Sequence, residues 1–340
     1  MKGAVALMLG LVLTLLPFHL LHAQEGGVVE GRIVNGTGGG QVPAGLPVTL
    51  EIVRQRRLVD TRTATAGADG TFRFEGVPLG LDLAYLASTA YQGVVYTAIA
   101  QGQEAWAKPL TLTIYEKAPG TQNLRLLSVT LVATGADPRR RLLEFLEAVQ
   151  IENPTDRTAV PDMGQMPPSL LRFSIPSQAQ GLDVAATFPP GGEVVQLAQG
   201  FALTSPIPPG RYEVLFTYRL VYQGEGVEFA LDMPHGADVF RLMLPEDLAR
   251  VESPLLEAQE PASIGGKTYR ILEGKGIEAG GVVSFRIVGL PQPRWPLRVL
   301  EALERPPLVV ALPASLLGVI LLGILIWALR QRPAPAQGVE

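Results

Sequence analysis

Between Tyr212 and Tyr222 apolar and polar residues alternate almost without a break. Tyr212, Val214, Phe216, Tyr218, Leu220 and Tyr222 share one parity, while Arg211, Glu213, Thr217 and Arg219 fall on the other. A period of two is what a strand with one buried face requires. After the turn Gln223-Gly224-Glu225-Gly226 the period resumes at Val227, Phe229, Leu231 and Met233, so the pair is predicted to form a β-hairpin. Phe240-x-Leu242-x-Leu244 and Val283-x-Phe285-x-Ile287 repeat the pattern, and Leu124 to Val132 reads as a further strand. Leu142 to Ile151 fits either an amphipathic helix or a strand. The strand is favoured because its surroundings are β and it runs into the turn residues Asn153-Pro154. Some eight strands are thereby predicted over residues 123–291, enough for a β-sandwich.

Two stretches show no alternation at all. Leu308 to Leu329 contains no ionisable side chain, and at ~1.5 Å per residue it reaches roughly 33 Å, enough to cross a hydrocarbon core. Arg330 and Arg332 follow at once, which places residues 330–340 in the cytoplasm and everything before the span outside it. At the other end, Lys2, the apolar run Ala4 to Leu16 and a small residue at Ala23 describe a secretory signal peptide over residues 1–23. Leu21 is a poor fit three residues before the cleavage point, so an uncleaved anchor is the alternative. Leu290 to Pro296 and Arg305-Pro306-Pro307 make residues 292–307 a Pro-rich stalk. Within the span, Ala314-x-x-x-Gly318 is a small-residue spacing compatible with a homodimer. The segment contains no charge that would suggest transport or sensing.

Residues 24–118 read as a separate, smaller module of short strands. Val28 to Val34 alternates and then breaks into the glycines Gly38 to Gly40. Pro47 to Val53 resumes the pattern, and Asp69-Gly70 turns the chain before Phe72 and Phe74, which share one face. Gly31-x-x-Val34, Gly45-x-x-Val48-x-Leu50 and Asp69-Gly70-x-Phe72-x-Phe74-x-x-Val77-x-x-Gly80 resemble the carboxypeptidase regulatory-like, transthyretin-like β-sandwich. That family is named for its place beside a peptidase domain and carries no catalytic residues. An aromatic residue often stands two positions after the closing glycine in the family; here that position is Asp82. Related adhesin repeats join a lysine to an asparagine by an isopeptide bond, but past the signal peptide this chain has no lysine before Lys108. Asn35-Gly36-Thr37 fits a glycosylation sequon and, more simply, a glycine-rich turn.

The predicted architecture is therefore all-β, two β-sandwiches in tandem plus one C-terminal transmembrane helix. The 37 glycines and 29 prolines of the 340 residues are those of many turns between short strands. The absence of cysteine excludes disulfides, thiolate metal sites and thiol catalysis. A net charge of −4 with dispersed acids gives no electrostatic basis for binding nucleic acid.

Candidate chemistry is sparse. His19 and His22 lie in the signal peptide, leaving His235 in a Pro-Gly turn, and no Gly-x-Ser-x-Gly elbow is present. One histidine and no cysteine argue against a zinc site. The carboxylate pairs Glu144/Glu147, Asp232/Asp238 and Glu246/Asp247 are read as solvated acids; the alternatives are a glycosidase-like pair or a loop calcium site. Gly38 to Gly40 lacks the lysine that phosphate cradling needs, and Arg139-Arg140-Arg141 is a solvated turn. No catalytic residue, cofactor or metal ligand is assigned. The expectation is an extracytoplasmic binding or scaffolding protein, tethered to the membrane, with a protein or polysaccharide partner in the envelope. An accessory factor for assembling an envelope complex and a carboxylate-based hydrolase are the alternatives.

Overall fold

The computed structural model describes residues 26–189 and 191–293. The predicted signal peptide, most of the predicted stalk, the predicted span at 308–329 with Ala314 and Gly318, and the predicted tail lie outside the described residues. Among those residues no helix is long and apolar enough to cross a membrane. The described chain is all-β, with one short helix, and divides between Glu116 and Lys117 into two units.

The first unit contains β1 (Gly27–Asn35), β2 (Pro47–Arg54), β3 (Arg57–Thr65) and β4 (Thr71–Val77). These are followed by β5 (Ala84–Tyr91), β6 (Val94–Gln101), α1 (Glu104–Ala107) and β7 (Leu110–Ile114). They form a three-stranded sheet in the order β4-β1-β7 and a four-stranded sheet in the order β3-β2-β5-β6. Alternate residues are buried in each: Val48, Leu50 and Ile52 on β2, and Phe72 and Phe74 on β4. Two sheets with one buried face each, in a unit whose only helix among the described residues has four residues, bury those faces against one another. Tyr96 on β6 crosses this space to donate to the Tyr115 carbonyl at 2.9 Å.

Local chemistry sets the turns. The β2–β3 and β5–β6 loops each place two residues at positive φ, Gln55 and Arg56 in one and Gln92 and Gly93 in the other. That handedness matches the right-handed twist of paired strands. At Asp69-Gly70 the Asp69 carboxylate accepts from the Thr71 N–H (3.1 Å) and hydroxyl (2.7 Å), and these bonds hold its pKa below the usual carboxylate value. Gly70 has φ +81°, and a Cβ there would lie 2.6 Å from the Ile33 carbonyl oxygen. Three residues after Asp82 stands the buried ring of Tyr85. Its hydroxyl accepts from the Gly80 N–H (3.1 Å) and donates to the Pro78 carbonyl (2.9 Å).

The second unit begins with a strand, β8 (Lys117–Pro119). It continues with β9 (Arg125–Asp137), β10 (Leu142–Asn153), β11 (Thr158–Val160), β12 (Leu171–Phe173) and β13 (Ala179–Ala186). Then come β14 (Val194–Leu197), β15 (Gly200–Leu203), β16 (Gly210–Val221), β17 (Gly226–Met233) and β18 (Ala237–Pro245). The last are β19 (Arg250–Glu252), β20 (Glu257–Ile264), β21 (Lys267–Ile277) and β22 (Gly281–Val288). The favoured strand at Leu142 to Ile151 is thus observed. The expected total of eight was low because strands of three or four residues carry no readable period.

A seven-stranded sheet, β13-β16-β10-β9-β18-β21-β20, forms one layer. Two three-stranded sheets, β12-β15-β14 and β17-β22-β19, pack against its inner face. Aromatic rings hold the layers together. Phe145 meets Phe229 at 5.4 Å between centroids, Phe240 meets Phe285 at 6.2 Å, and Phe201 meets Phe216 at 4.9 Å. One expectation fails here. Strands β16 and β17 are not a hairpin: β16 pairs with β10 and β13, β17 pairs with β22, and only the bridge Gln223–Gly226 joins them. Both alternations are real, but the turn carries the chain from one layer to the other, so the two apolar faces meet across the core.

Candidate functional site

Strand β10 sits third from the edge of the large sheet, and its inward parity is Leu143, Phe145, Glu147, Val149, Ile151 and Asn153, all buried. Glu147 is therefore not a solvated acid. It stands in the core between Phe145 and Val149, opposite Leu131 of β9 and Phe216 of β16. Its Oε2 has no hydrogen-bond partner, and neither has the buried hydroxyl of Tyr218 on β16. Burial alone lifts the Glu147 pKa to about 8. Tyr218 is raised well above the ordinary tyrosine value, by burial first and by the Glu147 charge second. Glu144, the other half of the predicted pair, points to the opposite face and is exposed, so the two acids are not a carboxylate dyad.

The remaining acids are exposed, as expected. Asp232 lies on β17, and Asp238 on β18 is held by Arg125 at 2.9 Å. Glu246 and Asp247 line a groove of about 490 Å³ together with Arg250 and Arg270, so their surroundings are of mixed charge. No three of the described His, Asp and Glu residues are placed to hold a metal ion. Arg139, Arg140 and Arg141 form the predicted turn, the N–H groups of the first two donating to the Asp137 carboxylate at 2.9 and 3.3 Å. Only those two are solvated, and Arg141 is half-buried with its Nε enclosed. In the first unit Asn35 Oδ1 accepts from the Thr37 N–H at 3.0 Å, and Nδ2 donates to the Gln41 carbonyl and to Glu116. That is an Asx turn with its amide already engaged.

His235 is a half-buried staple, not a free loop residue. Its Nε2 accepts from the Arg172 N–H at 3.0 Å, and a second hydrogen bond joins the ring to the Leu170 backbone. Burial leads the effects that push its pKa below the ordinary histidine value. The two polar contacts tie the β17–β18 turn to β12 and to the residue just before it, so the imidazole is committed to the fold. No sequence signal distinguishes this from a surface histidine.

The outer face of the large sheet has a different character. The register places Leu146, Val132, Met243 and Ile271 in one row across β10, β9, β18 and β21, between Thr217 on β16 and Gln259 on β20. The neighbouring row runs Leu215, Ala148, Thr130, Arg241 and Glu273. Arg241 Nη2 and Nε lie 2.7 and 2.8 Å from the same oxygen of Glu273. Around this ion pair a concavity of about 620 Å³ is lined by Arg241, Met243, Gln259, Glu260, Ile271 and Glu273. The edges of the sheet offer less. A bulge between Gln259 and Ala262 contains Pro261, and another interrupts β13 between Gln180 and Asp183. Bulges and an edge proline disfavour addition of a further strand. The face itself carries a half-buried apolar row, with Met243 buried within it, bordered by charge.

No family model and no curated protein matches the chain. Among solved structures, it is similar to an M1 zinc metallopeptidase from Deinococcus radiodurans, at 13% identity and a TM-score of 0.30, over 49% of this chain and 43% of that one. A mutant of an M1 zinc metallopeptidase from the same organism, bound to a Tyr-Ser-Ala substrate, gives 14% identity and the same score and coverage. The chain spans less than half the length of those peptidases, and a likeness of this size carries no argument about its chemistry.

Proposed function

We propose that this chain is a non-catalytic binding or scaffolding protein held outside the cytoplasm by its C-terminal span, and that it engages an envelope protein or a surface polymer. In this reading the two units are β-sandwiches in tandem, the first of them carboxypeptidase regulatory-like, and residues 308–329 are a transmembrane helix. The observation that carries it is the outer face of the seven-stranded sheet, with its apolar row, its ion pair and its concavity beside protected edges. The commitment of His235 to backbone contacts points the same way, since the only histidine beyond the signal peptide is occupied as a structural staple.

The test is site-specific photo-cross-linking in cells, with the reactive group at position 146 or 271 on this face and at exposed Thr97 as control. Adducts with one partner from 146 and 271, and none from 97, are expected. Absence of any adduct from the face positions would remove the reading. Glu→Gln or Asp→Asn exchange at each exposed acid named above separates the hydrolase alternative, because a carboxylate hydrolase loses its activity in at least one of them.

A further inference from the structure

We propose that Glu147, set beside Tyr218 in the core of the second unit, is an alkaline-triggered release: when its carboxyl ionises, the β10–β16–β13 side of the seven-stranded sheet opens. The geometry carries the argument. Glu147 occupies the inward parity of β10, where every other described side chain but the terminal Asn153 is apolar. Its neighbours along the strand are Phe145 and Val149. Across the ladders β9 presents Leu131, and β16 presents Phe216 and, one pair away, Tyr218. The facing layer presents Phe229 to Phe145 and Phe201 to Phe216. From these elements Tyr218 is the only titratable group that couples to Glu147, and no cation faces it.

Neutral, the carboxyl is tolerable there. Ionised, it has no counter-charge and no donor in place, and an uncompensated buried charge is relieved by ionisation coupled to water entry. Water enters most readily from the β13 edge. That strand is exposed along much of its length and its pairing with β16 is already broken between Gln180 and Asp183. Past it lies the long β16–β10 ladder, which ends on Glu147's own strand. The same carboxyl, lifted to about 8 by burial, places the transition in mildly alkaline solution.

Hydrogen exchange read by mass spectrometry on the full chain in detergent tests this. After correction for intrinsic exchange, peptides covering residues 142–153 and 179–221 are expected to lose at least tenfold in protection between about pH 6 and about pH 9.5, while peptides over residues 47–101 do not. Glu147→Gln removes the loss. Glu147→Leu, which fills the site without a polar atom, does the same and stands in if the amide loosens the unit at every pH. Wild-type protection that does not change, that falls equally in both units, or that falls as much in Glu147→Leu would overturn the proposal.

Discussion

Glu147 and His235 set opposing pH dependences on the same unit. For Glu147 the folded pKa, about 8, lies above the ordinary value of 4.5, so the folded chain holds a proton that the unfolded chain has released. Its stability contribution is whole below pH 4.5 and declines as pH rises through 8. At pH 7 the penalty is roughly 3 kcal/mol. Glu147→Leu is therefore expected to raise stability in urea unfolding by about 2–4 kcal/mol at pH 7 and by much less near pH 4.5. A gain independent of pH would refute the assignment. For His235 the folded pKa is lowered, so the unfolded chain binds the extra proton, and its contribution is present above 6.5 and lost as pH falls. In wild type the two slopes partly cancel just below pH 6.5. In Glu147→Leu the rise of stability with pH that His235 produces should stand alone, and replacing His235 in that background should flatten it.

At the scale of elements, alternation told which residues face inward but not which strand lies alongside. Phe216 and Phe229 were both legible as core residues, yet β16 and β17 lie in opposite layers. The same rule held information that residue type concealed. Once Leu142 to Ile151 is a strand, Glu147 shares the parity of Phe145 and Val149, and only its charge suggested solvent. Phe216 touches Phe173 and Phe201 of the facing layer and Tyr218 of its own strand. Phe216→Ala should cost the second unit about 3–5 kcal/mol. Gly70→Ala should cost the first about 2–3 kcal/mol, because it forces a left-handed conformation and a Cβ against the Ile33 carbonyl. Calorimetry with each variant measures both, and a neutral Gly70→Ala would show that the turn relaxes.

For the whole molecule, two units with separate cores should unfold in two transitions, Gly70→Ala shifting one and Phe216→Ala the other. A shift of both by either variant would mean that they unfold as one. Topology has a clean probe because the chain has no cysteine of its own. A cysteine replacing Thr97 should react with an impermeant maleimide in intact spheroplasts. One replacing Gln337 should react only after the membrane is opened, and the reverse labelling would invert the proposed orientation.

What the sequence determined by itself was the β character of the chain, the inward parity of its longer strands and the turns at Asp69-Gly70 and Asn153-Pro154. These follow from a period of two and from the local hydrogen bonding of Asp, Asn and Gly. Tertiary structure alone decided the rest. It placed β16 and β17 on different sheets, turned His235 onto the backbone of β12, and lined up Leu146, Val132, Met243 and Ile271 from four strands into one row. It also enclosed Glu147. Each of these depends on register between residues distant in the chain, and no local pattern encodes that register.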